Sequence, residues 1–216
     1  MTCTGSSSCP CPDREAHWVA MGETGTRELL RRLDAVSAAE GRMVKRRRPG
    51  DHDRQRMLTP AYVLEPIRQL LTGIGLDPCT ETDNPTKARR FYALPQDGLE
   101  LSWTAESVFC NPPYGEARNR WVARCIASGD ERPTVLLIPS HTETQTAQLA
   151  LRECSSVIFV QARLRFALVR ENRRHEAASH GSMLLGFGVD LSPLYQLGTV
   201  FGSPIAAPKT LTKVRA

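Results

Sequence analysis

No apolar run in this chain of 216 residues approaches the roughly 20 that a helical membrane span needs, so no membrane partner is expected. The first thirteen residues carry no apolar stretch behind a basic start. A secretory signal is therefore not expected there, and the cytoplasm is the default compartment. A disulfide framework is set aside as well. The seven cysteines are an odd count, and Cys79, Cys110, Cys125 and Cys154 sit inside apolar, strand-like or helix-like segments. That pattern fits small buried thiols in a reducing compartment. Cys3, Cys9, Cys11 and His17 match no standard zinc spacing and stand among Ser, Gly and Pro, so no metal is expected. The chain shows no internal repeat.

What is present is an ordinary globular mixture, 41% hydrophobic and 24% charged, long enough for one α/β domain with tails. A net charge of +5 favours an anionic partner, with nucleic acid the first candidate.

The composition divides the chain into a basic N-terminal tail over residues 1–56, a folded domain over residues 57–202 and a basic tail over residues 203–216. Within the first tail, Leu29, Leu30, Leu33 and Val36 predict a short amphipathic helix over residues 27–40. A charge run follows, with Arg42, Lys45, Arg46, Arg47, Arg48, Arg54 and Arg56. Such runs are usually solvated faces, and the functional alternative is a phosphate-binding arm. The domain opens on Thr59-Pro60, which reads as an N-cap followed by a first-turn proline, ahead of an apolar helical face at Val63, Ile67, Leu70 and Leu71. Buried strands are predicted at residues 75–77, 107–110, 134–139 and 157–160, with helices at 118–128 and 143–152 between them. This alternation predicts an α/β domain with a mostly parallel sheet and flanking helices. Two late strands are expected at residues 164–169 and 183–187, around a polar loop.

The sharpest feature is Asn111-Pro112-Pro113-Tyr114, directly after the apolar Val108-Phe109-Cys110. Open α/β folds bind ligands at the carboxyl ends of their strands, where this tetrapeptide would lie. The prolines fix the backbone. The Asn111 side-chain oxygen and the Pro112 carbonyl can accept from both N–H groups of a flat, conjugated amine such as adenine N6. Tyr114 offers a ring on which an extruded base can stack, worth roughly 1–3 kcal/mol. A base within a duplex would have to be flipped out to reach such a pocket. The bland alternative is a rigid strand-to-helix turn with an incidental tyrosine.

The loop and its neighbours resemble the phage DNA N6-adenine methyltransferase family (Dam-like), within the class I amino-methyltransferases. The matching residues are Leu58-Thr59-Pro60, Leu76-Asp77-Pro78-Cys79, Asp97-Gly98-Leu99 with Trp103, the Asn111 to Tyr114 loop with Trp121-Val122, Leu137-Ile138-Pro139, and Arg163-Leu164-Arg165-Phe166. The resemblance implies a Rossmann-like fold and a site-specific, adenine-specific DNA methyltransferase. S-adenosyl-L-methionine (SAM) would be its cofactor and double-stranded DNA its partner. It also implies restriction-modification biology, with a phage or prophage gene expressed in a bacterial host.

The same resemblance carries roles residue by residue. Thr59 and Pro60 match the motif that closes over SAM. Asp77, with Pro78, matches the position that holds its methionine part. Asp97, with Gly98, matches the acceptor for its adenine amine, and Asn111 borders the same site. Phe166 matches a residue that lines the target-base pocket opposite Tyr114, against a reading as a core phenylalanine that the apolar context favours, and Arg163 is expected to pin a DNA phosphate or, equally, an acidic loop. Two features depart from the pattern. Gly73 and Gly75 precede the first strand where a Gly-x-Gly loop would follow it, and no acid for the ribose stands out among Glu81, Asp83 and Asn84. Enzymes acting on RNA adenine or on a protein glutamine amide use the same loop and form the runner-up reading. A silent DNA-binding relative and a small oxidoreductase are further alternatives. The second lacks the glycine fingerprint it would need.

Overall fold

The computed structural model describes residues 57–113, 118–168 and 175–202. The helix expected at residues 27–40, the basic run, the cysteine-rich start, the C-terminal tail and Tyr114 lie outside the described residues. In chain order the elements are β1 (Met57–Leu58), α1 (Ala61–Leu70), β2 (Leu76–Thr80), β3 (Arg90–Ala93), β4 (Val108–Cys110), α2 (Arg118–Gly129) and β5 (Thr134–Pro139). They continue with α3 (Gln145–Glu153), β6 (Ser156–Phe159), β7 (Arg165–Leu168), β8 (His175–Ala177), β9 (Ser182–Phe187), α4 (Leu194–Leu197) and a 3₁₀ turn (Thr199–Phe201). Among the described residues, no helix is long and apolar enough to cross a membrane.

Six strands form the main sheet in the order β3-β2-β4-β5-β9-β6. The first four are mutually parallel, whereas β9 runs antiparallel between β5 and β6. The two expected late strands therefore part company. β9 joins the main sheet, and β7 pairs with β1 and β8 in a separate three-stranded sheet.

Successive side chains of a strand point to opposite faces, and here both faces are buried. Val108, Cys110, Leu136 and Ile138 pack with Trp121, Val122 and Ile126 of α2 and with Ala147, Leu149 and Ala150 of α3. Their neighbours Phe109, Val135 and Leu137 pack on the other side with Val63, Leu64 and Ile67 of α1. This is why β4 and β5 read as continuous apolar runs.

Two local readings are corrected. Thr59 does not cap α1. Pro60 takes the cap position, and its carbonyl accepts from the Val63 and Leu64 N–H groups at 3.0 and 3.1 Å. The Thr59 hydroxyl is used across the site instead. In addition, β2 continues past Asp77 to Thr80, so Asp77 is its second residue and not its end. The pairing with β3 shifts register between Asp77 and Thr80. That irregularity accommodates Pro78, which has no N–H to give a regular ladder.

Candidate active site

After β2 the chain moves to β3 on one side, then returns to β4 on the other. Such a reversal opens a crevice at the carboxyl ends of the two central strands. Of the residues singled out from sequence, Asp77 on β2 and Asn111 after β4 lie at this switch point.

Asn111 leaves β4 at that edge, half-buried, and its orientation is fixed chemically. Its side-chain Nδ2 donates to the Met57 carbonyl at 2.7 Å and to the Thr59 hydroxyl at 2.9 Å. A carbonyl oxygen can only accept, so the amide atom facing Met57 must be the nitrogen. The Oδ1 end is thereby left as an acceptor. Pro112 is buried and Pro113 half-buried beside it. The Met57 carbonyl has no side-chain signature in the sequence, and only the pairing of β1 with β7 brings it here.

Asp77 is the buried carboxylate of the crevice, 3% exposed. Burial pushes its pKa up to about 6, against the pull of the Cys79 N–H and the Thr86 and Thr80 hydroxyls. The Cys79 N–H lies 3.1 Å from Oδ1. A carboxylate desolvated in this way, with neutral donors alone around it, is suited to a cationic group arriving from outside.

The Asp97-Gly98 turn docks against the same strand. A Cβ built on Gly98 would stand 1.8 Å from the Pro78 carbonyl oxygen, so only glycine permits the approach. The Gly98 carbonyl accepts from the Trp103 indole N–H at 2.8 Å. Trp103 in turn stacks on Trp121, with ring centroids 6.1 Å apart. The Asp97 carboxylate is exposed and accepts from the Leu99 N–H at 2.9 Å, which shapes the turn. Two motifs far apart in sequence, Asp77-Pro78 and Asp97-Gly98, are thus in van der Waals contact through Pro78 and Gly98.

Cys79 and Cys110 pack together in the core beneath these strand ends, their sulfurs 3.6 Å apart, and burial raises the pKa of both thiols. Of the ribose candidates, Asn84 is committed to its own loop: its amide donates to the Ala88 carbonyl at 2.9 Å and accepts from the Ala88 N–H at 3.1 Å. Arg163 is exposed on the loop after β6. Phe166 is fully buried on β7, in the core cluster that contains Val63, Ile67 and Phe109.

An amide oriented by Met57 and Thr59, a buried carboxylate and a glycine-docked turn thus stand near one switch point of a mixed α/β fold. A family model described as DNA N-6-adenine-methyltransferase (Dam) matches residues 48–200, and the chain belongs to that family. Membership implies methylation of adenine in DNA, with SAM as methyl donor and DNA as partner. Comparisons with curated proteins and with solved structures gave no match.

Proposed function

We propose that the protein transfers the methyl group of SAM to adenine N6 in duplex DNA, acting on a flipped base within a Rossmann-like fold. The observation that carries this reading is the orientation of Asn111. With Nδ2 turned towards Met57 and Thr59, Oδ1 and the Pro112 carbonyl are the acceptors for the target amine. Holding both N–H groups localises the nitrogen lone pair, which otherwise delocalises into the ring. These hydrogen bonds strengthen as the amine becomes tetrahedral, so they favour the transition state over the bound substrate. The Tyr114 ring stacks on the extruded base, and Pro113 stiffens the turn between them. Phe166 retains its family role near the target base as part of this proposal, with Arg163 contacting the DNA backbone.

The residues fit the cofactor. Asp77 accepts from the ammonium group of its methionine part, with Thr59, Pro60 and Pro78 around that end. Asp97 accepts from its adenine amine, on the turn that Gly98 docks against β2. SAM supplies the electrophilic methyl group when bound. Burial of Asp77 supports this assignment, because the carboxylate gains most from a cation where water solvates it least.

The deciding experiment is to incubate the protein with methyl-labelled SAM and duplex DNA, RNA or protein, then digest and identify the product. N6-methyladenine from DNA alone is expected. Label in RNA or in glutamine alone would overturn the DNA assignment. The phage setting belongs to the same proposal, with modification shielding phage DNA from host restriction.

A further inference from the structure

We propose that His141 and His180, with Arg118 and Arg163, form a seat for a DNA backbone phosphate beside the Asn111 loop. The inference rests on the methyltransferase reading above and names where the strand is gripped.

Topology brings these residues together from four segments. Strands β5 and β6 both run antiparallel to β9, so their carboxyl ends and the start of β9 share one edge. Strand β4, parallel to β5, delivers Asn111 to that same edge. His141 follows β5, Arg163 follows β6, His180 precedes β9, and Arg118 opens α2 just after the catalytic loop.

The two imidazoles meet with ring centroids 4.6 Å apart. Their loops are tied by the Ser140 N–H donating to the Gly181 carbonyl at 3.0 Å. Each ring is oriented through Nδ1. That of His180 lies 2.7 Å from the Ser179 hydroxyl, and that of His141 lies 3.3 Å from Glu143.

Four groups able to carry positive charge gather at this edge, an arrangement that suits an anion. His141, Arg118 and Arg163 face His180 electrostatically, and after burial their charges are what hold its pKa down. The acid paired with His141 is Glu143, on a side chain 72% exposed. Cations gathered on one edge repel one another, and a bound phosphate offsets that repulsion while accepting charge-assisted hydrogen bonds. In a DNA-binding protein, phosphate contacts of this kind set the position of the strand and carry no sequence information. A phosphate here also favours protonated histidine. Binding should therefore take up protons and tighten as pH falls through the histidine range.

The test uses the full-length protein and a fluorescent duplex, followed by anisotropy over a salt series at about pH 6 and about pH 8.5. The wild type should bind tighter at the lower pH. H141Q/H180Q should lose roughly tenfold in affinity there, together with the pH dependence, while SAM affinity by calorimetry stays unchanged. Arg163→Gln, at an exposed position, should lower the log–log salt slope by about 0.9 at both pH values, and it carries the test if the double variant does not fold. Wild-type affinity and slope in the folded variants would overturn the phosphate seat and leave the methyltransferase reading standing. A wild-type protein that binds no duplex would overturn both.

Discussion

The Asn111 side-chain nitrogen donates to the Thr59 hydroxyl at 2.9 Å, linking the loop after β4 to the segment that leads into α1. In the proposed reaction, this bond and its companion to the Met57 carbonyl decide which end of the amide meets the substrate. Asn111→Ala should lower methyl transfer by a factor of about 10²–10³, the range for losing one preorganised polar group. SAM binding should persist. Thr59→Val leaves the Met57 bond in place and should cost about tenfold in turnover, the equivalent of one hydrogen bond. Single-turnover assays at saturating SAM read both effects, and normal turnover in Asn111→Ala would remove the loop from the chemistry.

Gly98→Ala should destabilise the domain by about 1–3 kcal/mol, because its Cβ meets backbone at Pro78 instead of a movable side chain. SAM affinity should fall with it. Asp97→Asn keeps the turn bond to Leu99 but loses the charge, so it should weaken SAM binding without lowering the unfolding midpoint. Denaturant titration beside calorimetry separates the two effects, and wild-type SAM affinity in both variants would move the cofactor elsewhere.

The pH dependence of Asp77 has a definite sign. Its folded pKa, about 6, lies above the ordinary 3.8. The folded state therefore favours the protonated form. Stability from this group is fully present below about pH 3.8 and is lost as pH rises through about 6. The loss in the ligand-free protein is on the order of 3 kcal/mol. Asp77→Asn should consequently be at least as stable as the wild type at neutral pH, while binding SAM far more weakly. Wild-type SAM affinity, conversely, should rise with pH towards a plateau above about 6. Urea melts and calorimetry across that range check both trends. A variant that is destabilised yet binds SAM normally would reverse the assignment.

Replacing Lys45, Arg46, Arg47 and Arg48 by glutamine should weaken duplex binding and flatten its salt dependence, by about 0.9 in the log–log slope for each phosphate that the arm no longer neutralises. Adenine methylation at low salt should survive, since every residue assigned to the chemistry lies after Arg56. An unchanged salt slope would make this arm a bystander.

Where burial is complete, the chain announces its own structure. Strand β5 runs over Thr134–Pro139, as its unbroken apolar sequence predicts. Strand β3, with Arg-Phe-Tyr-Ala at the sheet edge, lacks that signal because its side chains are only partly covered. Two-residue β1 is too short for any period to show. The site divides in the same manner. Asn111 and Asp77 are legible as residue types suited to a task, and each stands at the switch point. The Met57 carbonyl that orients Asn111 is backbone, which no residue identity reports. The docking of Gly98 on Pro78 depends on tertiary approach, and the pairing of His141 with His180 on the antiparallel insertion of β9.

That insertion also orders events during synthesis. Strand β9 is the last of the main sheet to leave the ribosome, yet it holds an interior place and is the strand to which β6 is paired. Until Phe187 has emerged, β5 has an open edge and β6 has no partner in the sheet. The parallel half, with Asp77 and Asn111, can therefore assemble while its neighbour is still unzipped, leaving Val135 and Leu137 without the strand that completes their layer. Closure is a long-range step that comes late in synthesis. A nascent chain halted before Ser182 would carry the Asn111 loop on an unfinished sheet and would be exposed to edge-to-edge association.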